Sequence, residues 1–315
     1  MTAFAFVFPG QGSQAVGMLD AWGDHPAVAS TLQEASAALG EDVGRLIHDG
    51  PKDLLDLTTN TQPVMLTAGI AAYRAWRAEG GATPAAVAGH SLGEYTALVA
   101  AGVLTLADAL PLVRLRATAM QEAVPVGVGA MAALLGLDYE AAVAVAEEAA
   151  QGQVCQAAND NGGGQVVVSG DKAAVERALE IAKTKGAKRA MLLPVSAPFH
   201  CRLMQPAADV MARALAEVTI RQPVSPLVSN VLAAPITEPG EIRRRLVEQV
   251  TGTVRWRESV AYMASHGVSR FFEIGAGKVL SGLVKRIADG AVGVSISGPN
   301  DIASAKQALA AAQTA

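Results

Sequence analysis

Strand-like apolar runs alternate with amphipathic, alanine-rich helical stretches along almost the whole chain of 315 residues. This alternation is typical of an α/β protein. Ala3–Phe8 is predicted to be a buried strand that ends in the turn Pro9–Gly12, and Ala85–Gly89 a second strand followed by a helix to about Ala101. Leu106–Ala123 is predicted to be a further helix. The alternation therefore predicts an α/β fold.

The segment 126–195 has a different order of predicted elements, β-α-β-β-α-β, which is that of the ferredoxin-like split unit. In chain order the predicted elements are Met131–Leu135, Tyr139–Ala150, Val154–Ala158, Gln165–Ser169, Lys172–Lys185 and Arg189–Pro194. We therefore predict a ferredoxin-like small subdomain at 126–195, inserted into a larger α/β domain made of 1–125 and 196–315. The larger domain is predicted to end with a strand, Val268–Ile274, and two further helices.

The composition narrows the class of protein. Hydrophobic residues make up 51% and charged residues 17%, which predicts a sizeable buried core. A net charge of −4 gives no reason to expect a nucleic-acid partner. The longest uncharged apolar stretch, Ala123–Leu137, is short for a membrane span, and the N-terminus does not resemble a signal peptide. We expect a cytoplasmic protein, with Cys155 and Cys201 as buried thiols rather than a disulfide or a zinc site.

Gly89–Gly93, with the sequence GHSLG, fits the GxSxG pattern of a nucleophilic serine. A predicted strand precedes it and a predicted helix follows it. At such a turn the serine backbone is strained, only small flanking residues fit, and the hydroxyl lies near a helix N-terminus. The pattern therefore favours Ser91 as a nucleophile over an incidental serine in a glycine-rich turn.

A serine hydroxyl needs a base within hydrogen-bonding reach. His25 and His48 lie in polar, loop-like contexts, His90 adjoins the serine and should point away from it, and His266 resembles a helix C-cap. His200 follows a predicted strand and a proline turn, which is a typical place for a catalytic side chain. The pattern alone leaves His200 equally open to a structural role.

Acyl chemistry also needs main-chain N–H groups that converge on an oxyanion. Leu92 follows the serine and can supply one. The loop after the first strand is the obvious source of the second, with Gln11 as the candidate. A simple turn explains that loop equally well.

Six segments resemble the motifs of the malonyl-CoA:acyl-carrier-protein transacylase family. They occur in the family's order and spacing over nearly the whole chain, and together they are far more specific than GxSxG. They are FPGQGSQ at Phe8–Gln14, GHSLGEY at Gly89–Tyr95, VRLRATAMQEA at Val113–Ala123, VSAPFH at Val195–His200, VEQVTGTVRW at Val247–Trp256 and FEIGAGKVLSGLVKRI at Phe272–Ile287. The family architecture is an α/β-hydrolase-like large domain with a ferredoxin-like insertion.

The resemblance implies that malonyl passes from malonyl-CoA to the phosphopantetheine thiol of acyl carrier protein, for fatty acid synthesis, through an ester of Ser91. His200 would be the base and then the acid, and the main-chain amides of Gln11 and Leu92 would form the oxyanion hole. Gln249 would orient the imidazole through its main-chain carbonyl, where a hydrolase triad uses a carboxylate. No metal or bound cofactor is needed.

The resemblance also implies the substrate-binding residues. Arg116 would form a bidentate pair with the malonyl carboxylate, an assignment that the helix alone does not favour. Gln11 and Met120 are expected to line the acyl site. Phe199 stands where malonyl-specific members tend to carry Phe. Ala197 stands where polyketide acyltransferases usually carry a larger polar residue, which favours fatty-acid synthesis.

Two further expectations concern partners and alternatives. An acidic carrier protein is expected to dock on basic residues, for which the candidates are Lys183, Lys185, Lys188, Arg189, Lys285 and Arg286.

The alternative functions are a serine thioesterase or hydrolase, a non-catalytic carrier-binding module, and a malonyl transferase of a malonate decarboxylase or polyketide pathway. The first would require an acidic triad member, and the second conflicts with the intact serine and histidine.

Overall fold

The computed structural model describes residues 3–311. Within them the strands are β1 Ala3–Phe8, β2 Ala86–Gly89, β3 Gly129–Leu135, β4 Cys155–Asp160, β5 Gln165–Asp171, β6 Arg189–Leu192, β7 Leu227–Val228, β8 Pro235–Ile236, β9 Val268–Ile274 and β10 Val292–Ile296. The α-helices are α1 Pro26–Leu39, α2 Val43–Asp49, α3 Lys52–Leu55, α4 Thr58–Ala78, α5 Leu92–Ala100, α6 Leu106–Glu122, α7 Tyr139–Ala150, α8 Lys172–Thr184, α9 Gln205–Glu217, α10 Pro239–Thr251, α11 Trp256–Ser265, α12 Val279–Ile287 and α13 Pro299–Ala311.

The larger sheet has six strands in the order β10-β9-β1-β2-β7-β8. All neighbours pair in parallel except β7 and β8, which pair antiparallel at one edge. The central strand β1 is apolar on both faces, as expected for a parallel sheet that is covered on both sides. Phe6 packs edge-on against Trp76 of α4 on one face, and Val7 and Trp256 belong to the core on the other face.

The smaller sheet is antiparallel, with the strand order β4-β5-β3-β6. Because side chains alternate across a strand, Ala132 and Leu134 share a core with α7 and α8. Met131 on the opposite face packs with Phe199, which precedes the predicted base. Main-chain hydrogen bonds between Val254 and β4 fasten this sheet to the segment that follows α10. The face of the smaller sheet that carries Met131 therefore lies next to the predicted base, and it forms one wall of a cleft between the two sheets.

The structure confirms the α/β class and most of the predicted elements. Strands β1 and β9 and helix α7 have the predicted bounds. The strand predicted at Val154–Ala158 ends too early, because Asn159 and Asp160 also belong to β4. The prediction that only helices follow β9 is wrong: β10 lies between α12 and α13 and extends the large sheet. None of the described helices combines the length and apolar character needed to cross a membrane.

The turn from β2 to α5 is possible only with glycine on both sides of Ser91. A Cβ atom on Gly89 would lie 1.9 Å from the carbonyl of Gly93, and one on Gly93 would lie 2.0 Å from the carbonyl oxygen of Phe8. Ser91 itself has φ of 53°, in the left-handed region that side chains disfavour. The two glycines therefore allow β1, β2 and α5 to meet and hold the serine in its strained conformation.

Substitution of Gly93 by alanine tests this constraint. Gly93→Ala is expected to lower the free energy of unfolding by about 1–3 kcal/mol, because β1 and α5 must separate to admit the methyl group. The matched control is Gly240→Ala in α10, where an added Cβ meets nothing within 4 Å. Urea unfolding should show the control unchanged or slightly more stable. Equal stabilities for both variants would show that the backbone relaxes freely around the turn.

Candidate active site

The strand-turn-helix at Ser91 opens into a pocket of about 130 Å³ between the two sheets. Met131 of β3 and Asn159 of β4 contribute one wall, and the carboxyl end of β2 contributes the floor. Seven of the eight predicted site residues line this pocket: Gln11, Ser91, Leu92, Arg116, Met120, Phe199 and His200. The eighth, Gln249, is buried directly behind it and contacts three of its groups.

Ser91, His200 and Gln249 form a hydrogen-bonded chain. The Nε2 atom of His200 lies 2.7 Å from Oγ of Ser91, and its Nδ1 atom lies 2.9 Å from the main-chain oxygen of Gln249. A carbonyl oxygen can only accept, so Nδ1 carries the proton and Nε2 is free to accept the serine proton. The described geometry places a neutral carbonyl where a hydrolase triad has a carboxylate.

The imidazole of His200 is held in its neutral form. Burial, followed by the positive charge of Arg116, lowers the pKa of His200 to about 3, against the hydrogen bond to Gln249 that raises it. The residue is only 4% exposed, and its backbone has φ of 59°. A neutral imidazole is the form that can take a proton from Ser91.

Arg116 reaches the serine from α6 and is 1% exposed. Its Nη1 atom donates to the Oε1 atom of Gln62 at 2.8 Å, and its Nη2 atom donates to Oγ of Ser91 at 3.2 Å and to Oε1 of Gln249 at 2.9 Å. Its Nε atom has no hydrogen-bond partner among residues 3–311. All three acceptors are neutral. The guanidinium therefore brings a buried positive charge to the pocket, and an anionic ligand can form an ion pair with it.

The side chain of Gln249 has contacts that the sequence did not predict. Its Nε2 atom donates to the main-chain oxygen of Ser91 at 2.9 Å and to Glu94 at 2.6 Å, while Oε1 accepts from Arg116. Gln249 therefore touches the histidine through its backbone, and the arginine and the serine segment through its amide. Burial raises the pKa of Glu94 to about 7.

Asn230 supports the turn and was also missed. Its Oδ1 atom accepts from the main-chain N–H of Ser91 at 2.7 Å, and its Nδ2 atom donates to the main-chain oxygen of Gly89 at 2.6 Å. Asn230 lies 139 residues beyond Ser91 in the chain. No local pattern marks Asn230 or Gln62, because only the fold brings them to the site. Glu94 stands within the GHSLGEY segment, but its contact with Gln249 follows only from the fold.

The loop after β1 lies against the turn that holds Ser91. A Cβ atom on Gly10 would lie 2.6 Å from the main-chain oxygen of His90, and the next residue, Gln11, lines the pocket. The Gln11 side chain donates to Oγ1 of Thr58 at 3.2 Å. Leu92 begins α5, where the first N–H groups of a helix have no partner within the helix.

The other histidines have separate contacts. His90 bonds to Oδ1 of Asn161 at 2.8 Å and not to the serine, and His48 is exposed and pairs with an aspartate. His266 caps α11, as predicted. His25, which the sequence places in a polar, loop-like context, is the N-cap of α1, and its side chain is largely buried at 11% exposure. Both cysteines are free and buried, as predicted.

Similarity to known proteins points to the same kind of chemistry as this geometry. A family model described as an acyl transferase domain matches residues 5–296. The match and the serine–histidine pair define the chain as an acyltransferase. The malonyl CoA-acyl carrier protein transacylase of Escherichia coli strain K12 is 53% identical over 306 residues, which cover 97% of this chain and 99% of that protein.

Solved structures agree with this comparison. An acyl-carrier-protein S-malonyltransferase of Burkholderia pseudomallei 1710b has a TM-score of 0.95 at 57% identity, covering 97% of this chain and 99% of that one. A malonyl transacylase in complex with its holo type II polyketide carrier protein has a TM-score of 0.95 at 45% identity, with the same coverage. The chain therefore belongs to the malonyl-CoA:acyl-carrier-protein transacylase family.

The neutral state of His200 predicts how stability depends on pH. Its folded pKa of about 3 lies below the ordinary 6.5. Between these values the unfolded chain binds the proton and the folded protein does not, so this contribution to stability is lost as the pH falls. Relative to His200→Ala, the wild type should lose about 1.4 kcal/mol of unfolding free energy per pH unit below pH 6.

Urea unfolding of both proteins from pH 7 to pH 4 measures this difference. Groups that titrate alike in the two proteins cancel in this difference. A difference that is independent of pH would contradict the assignment of a neutral buried imidazole.

Proposed function

We propose that this acyltransferase moves malonyl from malonyl-CoA to the phosphopantetheine thiol of acyl carrier protein through a malonyl ester of Ser91. The observation that carries the proposal is the meeting of Ser91, His200 and Arg116 in one pocket, with Arg116 3.2 Å from the serine oxygen. An acyl group attached to that oxygen lies within reach of a buried guanidinium. Membership of the transacylase family supports the same activity.

In the first half of the reaction, Nε2 of His200 takes the proton of Ser91 as Oγ attacks the thioester carbonyl. The main-chain N–H groups of Gln11 and Leu92 would stabilise the oxyanion, each contributing about 3–4 kcal/mol to lowering the barrier. The imidazolium then gives the proton to the departing sulfur, and coenzyme A leaves. The Gln249 carbonyl keeps the imidazole in the required tautomer.

In the second half the carrier thiol gives its proton to Nε2 of His200 and attacks the malonyl–serine ester. Collapse of the second tetrahedral intermediate returns the proton to Ser91 and releases malonyl carrier protein. Atoms and charges balance without a further reactant. The predicted absence of a cofactor and the predicted cytoplasmic location stay predictions.

Selectivity for malonyl is assigned to Arg116. A planar guanidinium matches a carboxylate with two hydrogen bonds and keeps its charge when it is desolvated. Acetyl would leave the buried cation unpaired. Phe199 and Met120, which line the same pocket, are proposed to limit the space around the acyl group.

We assign two structural units to this activity. Residues 1–125 and 196–315 would form an α/β-hydrolase-like domain, supported by the mainly parallel sheet and the turn after β2. Residues 126–195 would form a ferredoxin-like subdomain, supported by the strand order of the smaller sheet and by α7 and α8 on one of its faces.

The carrier protein would dock beside the cleft on basic residues. Two of the six predicted candidates have acidic partners: Lys183 pairs with Glu180, and Lys185 pairs with Glu148 at 3.0 Å. The remaining four are exposed and are the better candidates: Lys188, Arg189, Lys285 and Arg286.

Intact-mass spectrometry tests the proposed function. Wild type mixed with malonyl-CoA should gain one malonyl group, which holo carrier protein removes, and Ser91→Ala should gain none. Release of coenzyme A without an adduct or a carrier product would instead indicate a thioesterase. The absence of both adduct and release would leave a binding role only.

A further inference from the structure

Glu94 is a buried carboxylate beside the site that the proposed reaction does not use. It lies in the first turn of α5, three residues after the nucleophile, and is 1% exposed. One oxygen accepts from Nε2 of Gln249 at 2.6 Å, and the other accepts from the main-chain N–H of Asn230 at 3.2 Å. A buried carboxylate costs folding free energy that its hydrogen bonds offset only in part.

The contacts of Glu94 fix which way the Gln249 amide faces. The main-chain oxygen of Ser91 and the Glu94 carboxylate both accept, so together they require the NH2 group of Gln249. The amide oxygen is therefore left for Nη2 of Arg116. A flipped amide would bring NH2 hydrogens against the guanidinium and an oxygen against two acceptors.

Arg116 depends on that orientation because the only other hydrogen bond of its Nη2 atom within residues 3–311 goes to the hydroxyl of Ser91. Gln62 holds Nη1, but Nη2 is shared between the Gln249 amide oxygen and the serine hydroxyl, which must move during the reaction. A guanidinium pairs two carboxylate oxygens only when its plane and edge are correctly placed. The amide of Gln249 is thus the lasting support of the edge that faces Ser91.

We propose that Glu94 is a positioning residue for malonyl selectivity: it orients the Gln249 amide, which in turn presents Arg116 to the acyl carboxylate. This inference rests on the proposed function. Its chemistry requires the ionised carboxylate, in which both oxygens accept. Because burial raises the pKa of Glu94 to about 7, the comparison below is made at a pH above that value. An isosteric glutamine has one accepting oxygen for two N–H donors, so either Gln249 or Asn230 would face an opposing NH2 group.

The test compares Glu94→Gln with wild type by the ratio of kcat/KM for malonyl-CoA to that for acetyl-CoA, measured as loading of Ser91. Loss of a hydrogen bond to a charged group predicts a fall in this ratio of roughly ten- to a hundredfold. Damage to the dyad or the turn slows both substrates alike and leaves the ratio unchanged. The matched control is Glu176→Gln, an exposed position on α8.

A second variant keeps the inference testable if Glu94→Gln does not fold. Gln249→Met retains the main-chain carbonyl that holds His200 but removes the amide, so it should lower the same ratio. Adding Glu94→Gln to Gln249→Met should then cause little further loss. An unchanged ratio in either folded single variant, or a full additional loss in the double variant, overturns the inference. A wild type that forms no malonyl ester would instead refute the proposed function.

Discussion

The site is organised around a buried positive charge whose hydrogen bonds within residues 3–311 all go to neutral groups, with the nearby Glu94 carboxylate separated from it by the Gln249 amide. Arg116 is 1% exposed, and its hydrogen bonds go to two glutamine side chains and one serine. Removing a charge from water is expensive, and neutral acceptors repay only part of that cost. The carboxylate of a bound ligand can offset the remaining cost. The burial of Arg116 is therefore a physical reason for the site to prefer an acyl group that carries a carboxylate.

That arrangement needs several distant elements to converge. Arg116 comes from α6, Gln62 from α4 and Gln249 from α10, while the serine stands at the carboxyl end of β2. The parallel sheet brings the loops after β1 and β2 to the same edge, which is where α/β folds place their sites. Gln249 links two of these groups, because its main-chain oxygen accepts from His200 and its side-chain oxygen accepts from Arg116.

Hydrophobic periodicity along the chain predicted the elements whose own residues show a clear apolar pattern. β1 is a continuous apolar run, and the helix and strand of the smaller unit alternate regularly, so their positions follow from periodicity. β10 was missed because its five residues form a half-exposed edge strand with a glycine, packed beside β9. The two-residue strands β7 and β8 are too short for any pattern.

The residues of the candidate site also fall into those that the sequence predicted and those that only the structure shows. Ser91 sits in a local motif, and the resemblance placed Arg116 and His200 with it. Glu94 lies in the same motif as Ser91 and Asn230 in none, and the contacts of both were not predicted because they join positions 136 and 139 residues apart in the chain. Single polar residues become part of a site only through such tertiary contacts, and periodicity does not register them.

The central claim, that a buried arginine without a carboxylate partner selects the acyl group, is tested most directly by Arg116→Met. The quantity to measure is the rate of Ser91 acylation by malonyl-CoA and by acetyl-CoA under the same conditions. The account predicts that the preference for malonyl falls by roughly two to four decades, with acetyl loading retained or increased. A variant that keeps the wild-type preference would contradict it.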